Sequence, residues 1–142
     1  MTAGAVSSGG DFKGFEPGDF MDRKEARRHD RFIQFALAAA EMAMKDSGLD
    51  MSKEDPEQVG CIVGAGMGGL GTIEENRTLL TERGLKRISP FFIPAAIINL
   101  ASGWVSIRAG AKGPNSATAT ACASGAHAVG DSFRLIQRGE AD

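Results

Sequence analysis

The clearest pattern in the sequence is a helical spacing of apolar residues between positions 23 and 47. Apolar side chains recur there at intervals of three and four residues, at Phe32, Phe35, Ala36, Ala39, Met42 and Ala43. Polar side chains fill the opposite positions, at Arg31, Gln34, Glu41 and Lys45. This spacing predicts one amphipathic helix over residues 23–47. Gly48 suits the left-handed residue that ends a helix.

Two short segments are typical of strands. Residues 59–63 (VGCIV) form a continuous apolar run bounded by turn signals. Such a run predicts a strand buried on both faces, as in a parallel sheet covered by helices. Residues 115–121 (NSATATA) are small and compatible with a second strand.

The remaining segments alternate with these strands. Helices are predicted over residues 72–83, 95–109 and 124–138, with Gly84 and Gly139 as stop signals. Residues 89–94 (SPFFIP) have prolines near both ends, which predicts a non-helical connector. Residues 1–20 show no period and are predicted to be irregular, with at most one short strand, before a helix and strand core over 21–142. The alternation predicts an α/β layer fold.

Composition and charge exclude several classes of function. The chain has 42% hydrophobic and 24% charged residues and a net charge of −2, with acids and bases interleaved, so no nucleic-acid partner is expected. Apolar stretches fall short of the roughly 18 residues that a membrane helix needs, and no secretory signal is visible. We therefore expect a cytoplasmic protein with two free thiols, no membrane partner, and no cofactor or metal.

Cys122 is the candidate nucleophile. It lies where a strand-like segment gives way to a helix, in the run ATACASGAH. Unpaired N–H groups and the positive end of the helix dipole favour a thiolate there, and the small neighbours leave room for a substrate. The residues alone leave a second interpretation open, a small buried structural cysteine. Cys61, inside VGCIV, is predicted to be an inert core thiol.

Other motifs have competing interpretations. Gly64, Gly66 and Gly69 match the GxGxxG pattern of nicotinamide-dinucleotide-binding oxidoreductase domains. That fold needs an acid at the end of a second strand about 20 residues later, whereas Glu82 falls in a predicted helix.

The two histidines are predicted to have no catalytic role. His127 lies five helical residues after Cys122, which rotates the two side chains apart by about 140°, so a structural role is predicted. His29, in the charged run RRHDR, is predicted to lie on a solvated helix face.

Several segments resemble the beta-ketoacyl synthases. Residues 113–129 (GPNSATATACASGAHAV) are similar to the active-site signature of that family, with matches at Gly113, Thr118, Ala121, Cys122, Ala123, Ser124, Gly125 and Val129. Residues 64–76, 88–94, 95–107 and 136–142 resemble the elongating synthase II type in order and spacing. Residues 22–49 are similar to the early helix of the family.

The resemblance implies a fold and a reaction. The fold would be thiolase-like, a layered α/β/α/β/α arrangement. Cys122 would take an acyl group from an acyl carrier protein and condense it with a malonyl-carrier, with loss of CO2, in fatty acid elongation. Its backbone N–H would form half of the oxyanion hole.

The resemblance also implies roles for four neighbours and for a second subunit. Met67 would gate the acyl pocket, and Ala121 would be a small residue beside the nucleophile. Phe92 and Ile93 would line the pocket of the other subunit of a homodimer, formed by pairing of the segment before Cys122.

The sequence also departs from the family. The two catalytic histidines, the lysine and the Phe-containing glycine loop of later family segments do not occur here, nor do the first strand and helix of the family. The resemblance therefore implies that residues 1–142 are part of an N-terminal half, and we expect no complete condensation from this chain alone. A non-catalytic partner subunit of polyketide synthesis is the alternative, against which Cys122 itself argues.

Overall fold

The computed structural model describes residues 14–142. Its helices and strands, in chain order, are α1 (Arg23–Ala26), α2 (Arg31–Ser47), β1 (Cys61–Gly64), α3 (Leu70–Arg83), α4 (Phe92–Ala96), α5 (Asn99–Ala109), β2 (Asn115–Thr118) and α6 (Ser124–Gln137). Three 3-10 turns lie at Pro17–Asp19, Leu85–Arg87 and Ala121–Ala123. Most of the segment predicted to be irregular, including Phe12, lies outside the described residues. Within residues 14–142, no helix is long and apolar enough to cross a membrane.

The two strands pair in parallel, as the apolar pattern predicts. Cys61 is the register partner of Asn115, and Gly64 is the partner of Thr118. The connection between them contains α3, α4 and α5, which is the crossover that parallel strands require. Because both strands run in the same direction, the loops that follow them leave from the same edge of the sheet.

The prediction of one helix over residues 23–47 is wrong, because the chain turns at Asp30. That residue has extended dihedral angles (φ −64°, ψ 159°) and is the N-cap of α2. The predicted buried face is also shifted. Ile33 and Leu37 are buried and form a core with Met21 and Ala101, whereas Met42 is 60% exposed.

The connector and the helix that follows it also differ from prediction. Residues 92–96 are helical, and Pro94 is the third residue of α4. The first turn of a helix tolerates proline because its N–H groups have no intrahelical partner. The predicted helix over 95–109 is divided at Ile97, which is extended (φ −78°, ψ 140°).

One side of the sheet borders an open apolar groove. Helices α5 and α6 pack against β1, but a cavity of about 830 Å³ opens between α2, β1 and α6. Val129 and Phe133 of α6 are 71% and 55% exposed beside it. The residues of β1 are half-buried, so the prediction of a strand buried on both faces is wrong for the described chain.

Candidate functional site

Cys122 lies in the 3-10 turn Ala121–Ala123, directly before α6. Its side chain is exposed, and it is a free thiol. The structure therefore places the thiol at the N-terminal end of a 14-residue helix, as the sequence predicts. The alternative of a buried structural cysteine is wrong for the described chain.

Ser124 fixes the shape of this turn. Its hydroxyl accepts a hydrogen bond from the Thr120 N–H (2.9 Å) and donates one to the Ala121 carbonyl (2.7 Å). The Thr118 hydroxyl donates to the Ser124 carbonyl (2.8 Å), which ties the turn to β2. Sequence reasoning missed this role. The signal was a serine at a helix start, where hydroxyls commonly bond to nearby backbone groups.

Ala121 has a left-handed backbone conformation, with φ at +49°. An alanine in that region costs roughly 1–2 kcal/mol relative to ordinary dihedral angles. The hydrogen bond from Ser124 to the Ala121 carbonyl holds the residue there. Strained residues of this kind often accompany functional sites, and this one directly precedes the candidate nucleophile.

The loop after β1, residues 65–69, lies beside the Cys122 turn. The Ala65 N–H donates a hydrogen bond to the Thr118 carbonyl (3.0 Å). A Cβ atom on Gly66 would lie 3.7 Å from the Ala121 Cα. Met67, the next residue, is 74% exposed. The structure thus brings the segments that carry Met67, Ala121 and Cys122 to one edge of the sheet.

Phe92 and Ile93 lie on α4, whose C-terminal end contacts the same loop. The Gly69 N–H donates to the Ala96 carbonyl (2.9 Å). Phe92 is half-buried, and Ile93 is 55% exposed. The backbone contact places the C-terminal end of α4 next to the Met67 loop.

Asp30 is a residue of this region that sequence reasoning missed. Its Oδ2 accepts hydrogen bonds from the Thr72 N–H (3.0 Å) and the Thr72 hydroxyl (2.6 Å), at the start of α3. It therefore caps a helix that begins 40 residues later in the chain. Its position before the run RFIQF, as an N-cap residue type, signals the start of α2, but nothing local in the sequence signals its contact with Thr72.

The histidines have different surroundings. The prediction of a solvated His29 is wrong, since His29 is buried against Trp104, and burial lowers its pKa. In His127, Nδ1 lies 3.3 Å from the Thr120 hydroxyl and Nε2 lies 3.4 Å from the Asp131 carboxylate. Each ring nitrogen of His127 therefore lies close to a polar side chain other than Cys122. Within residues 14–142, no three His, Cys, Asp or Glu side chains are grouped to hold a metal ion.

Cys61 is a half-buried free thiol on β1. Burial raises its pKa, and a hydrogen bond with Ser106 opposes part of that shift. A raised pKa disfavours the thiolate. Cys61 is half-buried and not fully in the core, and its inert role stays a prediction.

Packing explains Gly64 and Gly69, the first and last glycines of the GxGxxG pattern, whereas a Cβ atom on Gly66 would make only ordinary van der Waals contacts. A Cβ atom on Gly64 would lie 2.2 Å from the Ser124 carbonyl oxygen, so α6 requires glycine there. Glu82 lies inside α3, and no strand of the described chain ends near it. The dinucleotide fold therefore lacks the second strand and acid that it needs.

Comparison with known proteins identifies the family. The model of the beta-ketoacyl synthase N-terminal domain matches residues 3–142. A 3-oxoacyl-[acyl-carrier-protein] synthase 2 of Synechocystis sp. is 47% identical over 137 residues, which are 96% of this chain and 33% of that protein. One of Staphylococcus aureus is 46% identical over 138 residues, 97% of this chain and 34% of that protein. The chain thus spans about a third of the length of these relatives.

Comparison with solved structures also finds ketosynthases. A type II polyketide ketosynthase, solved in complex with its acyl carrier protein, superimposes with a TM-score of 0.85 at 30% identity. The superposition covers 90% of this chain and 37% of that one. A beta-ketoacyl synthase from Burkholderia phymatum gives a TM-score of 0.73 at 24% identity, over 91% and 32% of the two chains, and supports the fold alone. The thiolase-like fold is confirmed for the part described, and the chain belongs to the beta-ketoacyl synthase family.

Proposed function

We propose that the protein is a 3-oxoacyl-(acyl-carrier-protein) synthase, an acyltransferase of fatty acid biosynthesis, and that Cys122 is its acyl acceptor. The observation that carries the proposal is the exposed Cys122 thiol in a fixed turn at the start of α6. That turn directly precedes the N-terminal end of a 14-residue helix, where free backbone N–H groups favour an anionic transition state. The names of the Synechocystis and Staphylococcus relatives support the reaction class.

The first step is transfer of the acyl group. The Cys122 thiolate attacks the carbonyl carbon of an acyl-carrier thioester, and the backbone N–H of Cys122 supplies one hydrogen bond to the developing oxyanion. The carrier thiolate then leaves, so that one C–S bond forms and one breaks. The second step is condensation. A malonyl-carrier loses CO2, its carbanion attacks the Cys122 thioester, and a C–C bond forms as the Cys122 thiolate leaves.

The acyl transfer step is the part that these 142 residues support directly. The two histidines of the chain, His29 and His127, do not match the catalytic histidines that the resemblance implies. The expectation that this chain alone completes no condensation therefore stays a prediction. So does the assignment of residues 1–142 to part of an N-terminal half.

The acyl pocket would be shaped by Met67 and Ala121, with Phe92 and Ile93 lining the pocket of a second subunit. Met67 and Ile93 are 74% and 55% exposed, and apolar side chains at this edge favour contact with an acyl chain or another subunit. Within residues 14–142, β2 pairs with β1 alone. The backbone groups on the other long side of β2 are therefore available for pairing with a second copy. We propose a homodimer through this unpaired side of β2, and the cytoplasmic location stays a prediction.

The acyl carrier protein would dock on the basic segment around α1, defined by Arg23, Lys24, Arg27 and Arg28. These four side chains are exposed. The Arg28 guanidinium lies 4.5 Å from the centre of the Phe91 ring, so the basic segment adjoins the helix that carries Phe92 and Ile93. A ketosynthase with this fold binds an acyl carrier protein. An acidic carrier surface would be complementary to this segment.

Acylation of Cys122 tests the proposal. We expect the native gene product, incubated with an acyl-carrier thioester, to gain the mass of one acyl group in the peptide that contains Cys122. Cys122→Ser should abolish the label, whereas Cys61→Ser, the matched change at the other free thiol, should keep it. Absence of the label from Cys122 in a folded protein that binds the carrier would support the non-catalytic partner instead.

A further inference from the structure

Asp30 connects the junction of α1 and α2 to the loop that carries Met67. Its Oδ2 bonds to both donors of Thr72, the third residue of α3. The same oxygen lies 2.9 Å from the position that a Cβ atom on Gly69 would occupy. Asp30 therefore contacts the C-terminal end of the 65–69 loop as well as the start of α3.

The loop is held at both of its ends. At the N-terminal end, the Ala65 N–H is bonded to the Thr118 carbonyl on the sheet. At the other end, the Gly69 N–H is bonded to the Ala96 carbonyl, and a Cβ on Gly68 would lie 2.5 Å from that same oxygen. Between these two points, Met67 is exposed, and the preceding residue, Gly66, lies beside Ala121 of the Cys122 turn.

Within this arrangement, Asp30 provides the side-chain hydrogen bonds that fix where α3 begins. A buried or half-buried carboxylate that accepts an N–H and an O–H bond makes charge-assisted contacts, which are stronger than neutral ones. Asp30 is half-buried, so these contacts are partly shielded from water. Loss of the Asp30 hydrogen bonds would let the start of α3 and the 65–69 loop shift relative to β2. The Ser124 hydrogen bonds would still hold the Cys122 turn.

We infer that Asp30 is a positioning residue for acyl-chain selection: through Thr72 it sets the place of the Met67 loop and thereby the space available beside Cys122. This inference rests on the proposed function and deepens it. Asp30 does not touch the reacting atoms. Its effect should therefore fall on discrimination between acyl chains of different length rather than on the attack by sulfur.

The test compares acyl transfer to Cys122 from short-chain and long-chain acyl-carrier thioesters, as kcat/KM for each, in the native gene product. Thr72→Val and Asp30→Asn should change the long-to-short ratio by about tenfold, the lower end of the effect that one methylene in an apolar pocket produces. Thr81→Val is the matched control. Its hydroxyl donates to the Arg77 carbonyl within the same helix, and the ratio should stay unchanged.

The outcomes distinguish a failure of the positioning role of Asp30 from a failure of the proposed function. A structural defect that only lowers the folded fraction would reduce both rates by the same factor, so an unchanged ratio in both variants would overturn the inference. Two variants are used because Asp30→Asn also changes the N-cap of α2, while Thr72→Val leaves Asp30 in place. If the unmodified protein transfers no acyl group to Cys122, the proposed function itself fails and the inference falls with it.

Discussion

His29 lies between α1 and α5, in a group of charged and aromatic side chains. Its ring centre is 4.8 Å from that of Trp104, and its Nε2 is 3.8 Å from the Glu25 carboxylate, which also pairs with Arg108. Burial is the main cause of its lowered pKa. The Glu25 carboxylate opposes the shift, and the Arg108 and Arg28 cations add to it.

Protonation of His29 should destabilise the protein. The folded pKa lies below the unfolded value of 6.5, so the unfolded state binds more protons as the pH falls. Stability should be lost as the pH falls from about 6.5 through the folded pKa of His29. Urea unfolding between pH 7.5 and pH 5 checks this. His29→Phe should give a shallower loss than the unmodified protein.

His127→Phe is the control, because His127 is exposed on α6. This variant keeps the buried His29 imidazole, so the loss of stability at low pH that His29 causes should remain. A His29→Phe protein that loses stability as steeply as the unmodified one would show that groups other than His29 cause the acid sensitivity.

The position and burial of a single side chain were predictable from sequence where the adjacent residues determine them. Cys122 owes its place to the junction between β2 and α6, which the adjacent residues encode. The burial of His29 depends on Trp104, 75 positions away, whereas the two preceding residues, Arg27 and Arg28, are exposed. The local run of charges therefore predicted an exposed His29, whereas a long-range contact with Trp104 buries it.

At the scale of elements, helix ends were predictable where glycine marks them. Gly48 and Gly139 adopt left-handed conformations, with φ of +70° and +69°, at the predicted stops. The breaks at Asp30 and Ile97 carry no glycine or proline. Asp30 is fixed instead by its bonds to Thr72, a contact between segments that no periodicity reveals.

The packing of β1 against α6 should depend on Gly64. A Cβ atom there would meet the Ser124 carbonyl at 2.2 Å, and backbone atoms cannot move aside cheaply. We expect Gly64→Ala to lower the free energy of unfolding by about 1–3 kcal/mol, the usual range for overpacking. Thermal or urea unfolding of the native gene product measures it.

Gly130→Ala is the matched control in α6. A Cβ atom on Gly130 would meet nothing within 4 Å, so alanine should raise stability by about 0.5–1 kcal/mol through its better helix propensity. Equal effects of the two substitutions would contradict the claim that close packing, rather than helix or strand propensity, accounts for Gly64.

At the scale of the whole molecule, the order of the elements and the parallel pairing were predictable. The motifs from residue 64 to residue 142 identified the family because they keep its order and spacing. The open groove between α2, β1 and α6 was not predictable, since an apolar strand has the same pattern whether or not every neighbour is present. The meeting of the Met67 loop and the Cys122 turn likewise depends on strand register.

Charge reversal on the basic segment tests carrier docking across the molecule. Arg27→Glu combined with Arg28→Glu should raise KM for an acyl-carrier substrate by about tenfold or more and make it less sensitive to salt. Acylation of Cys122 by a small acyl thioester without the carrier should be unaffected.

Arg134→Glu combined with Arg138→Glu changes two exposed bases at the end of α6 and serves as the control. Equal losses from both double variants would mean that net charge, and not a docking surface, governs the encounter. A loss with the carrier-free thioester would point to damage at the site itself.

The pairing of Gly64 with Thr118 has a consequence for how members of this family diversify. The two loops leave the sheet at the same level, and neighbouring strands are separated by about 4.8 Å whatever their sequence. The first residues of the two loops therefore have the same lateral separation whatever their sequences. Differences in the ligands accepted at this end of the sheet would then come from the side chain at position 67 and from the contacts that hold its loop, and not from the separation of the strands.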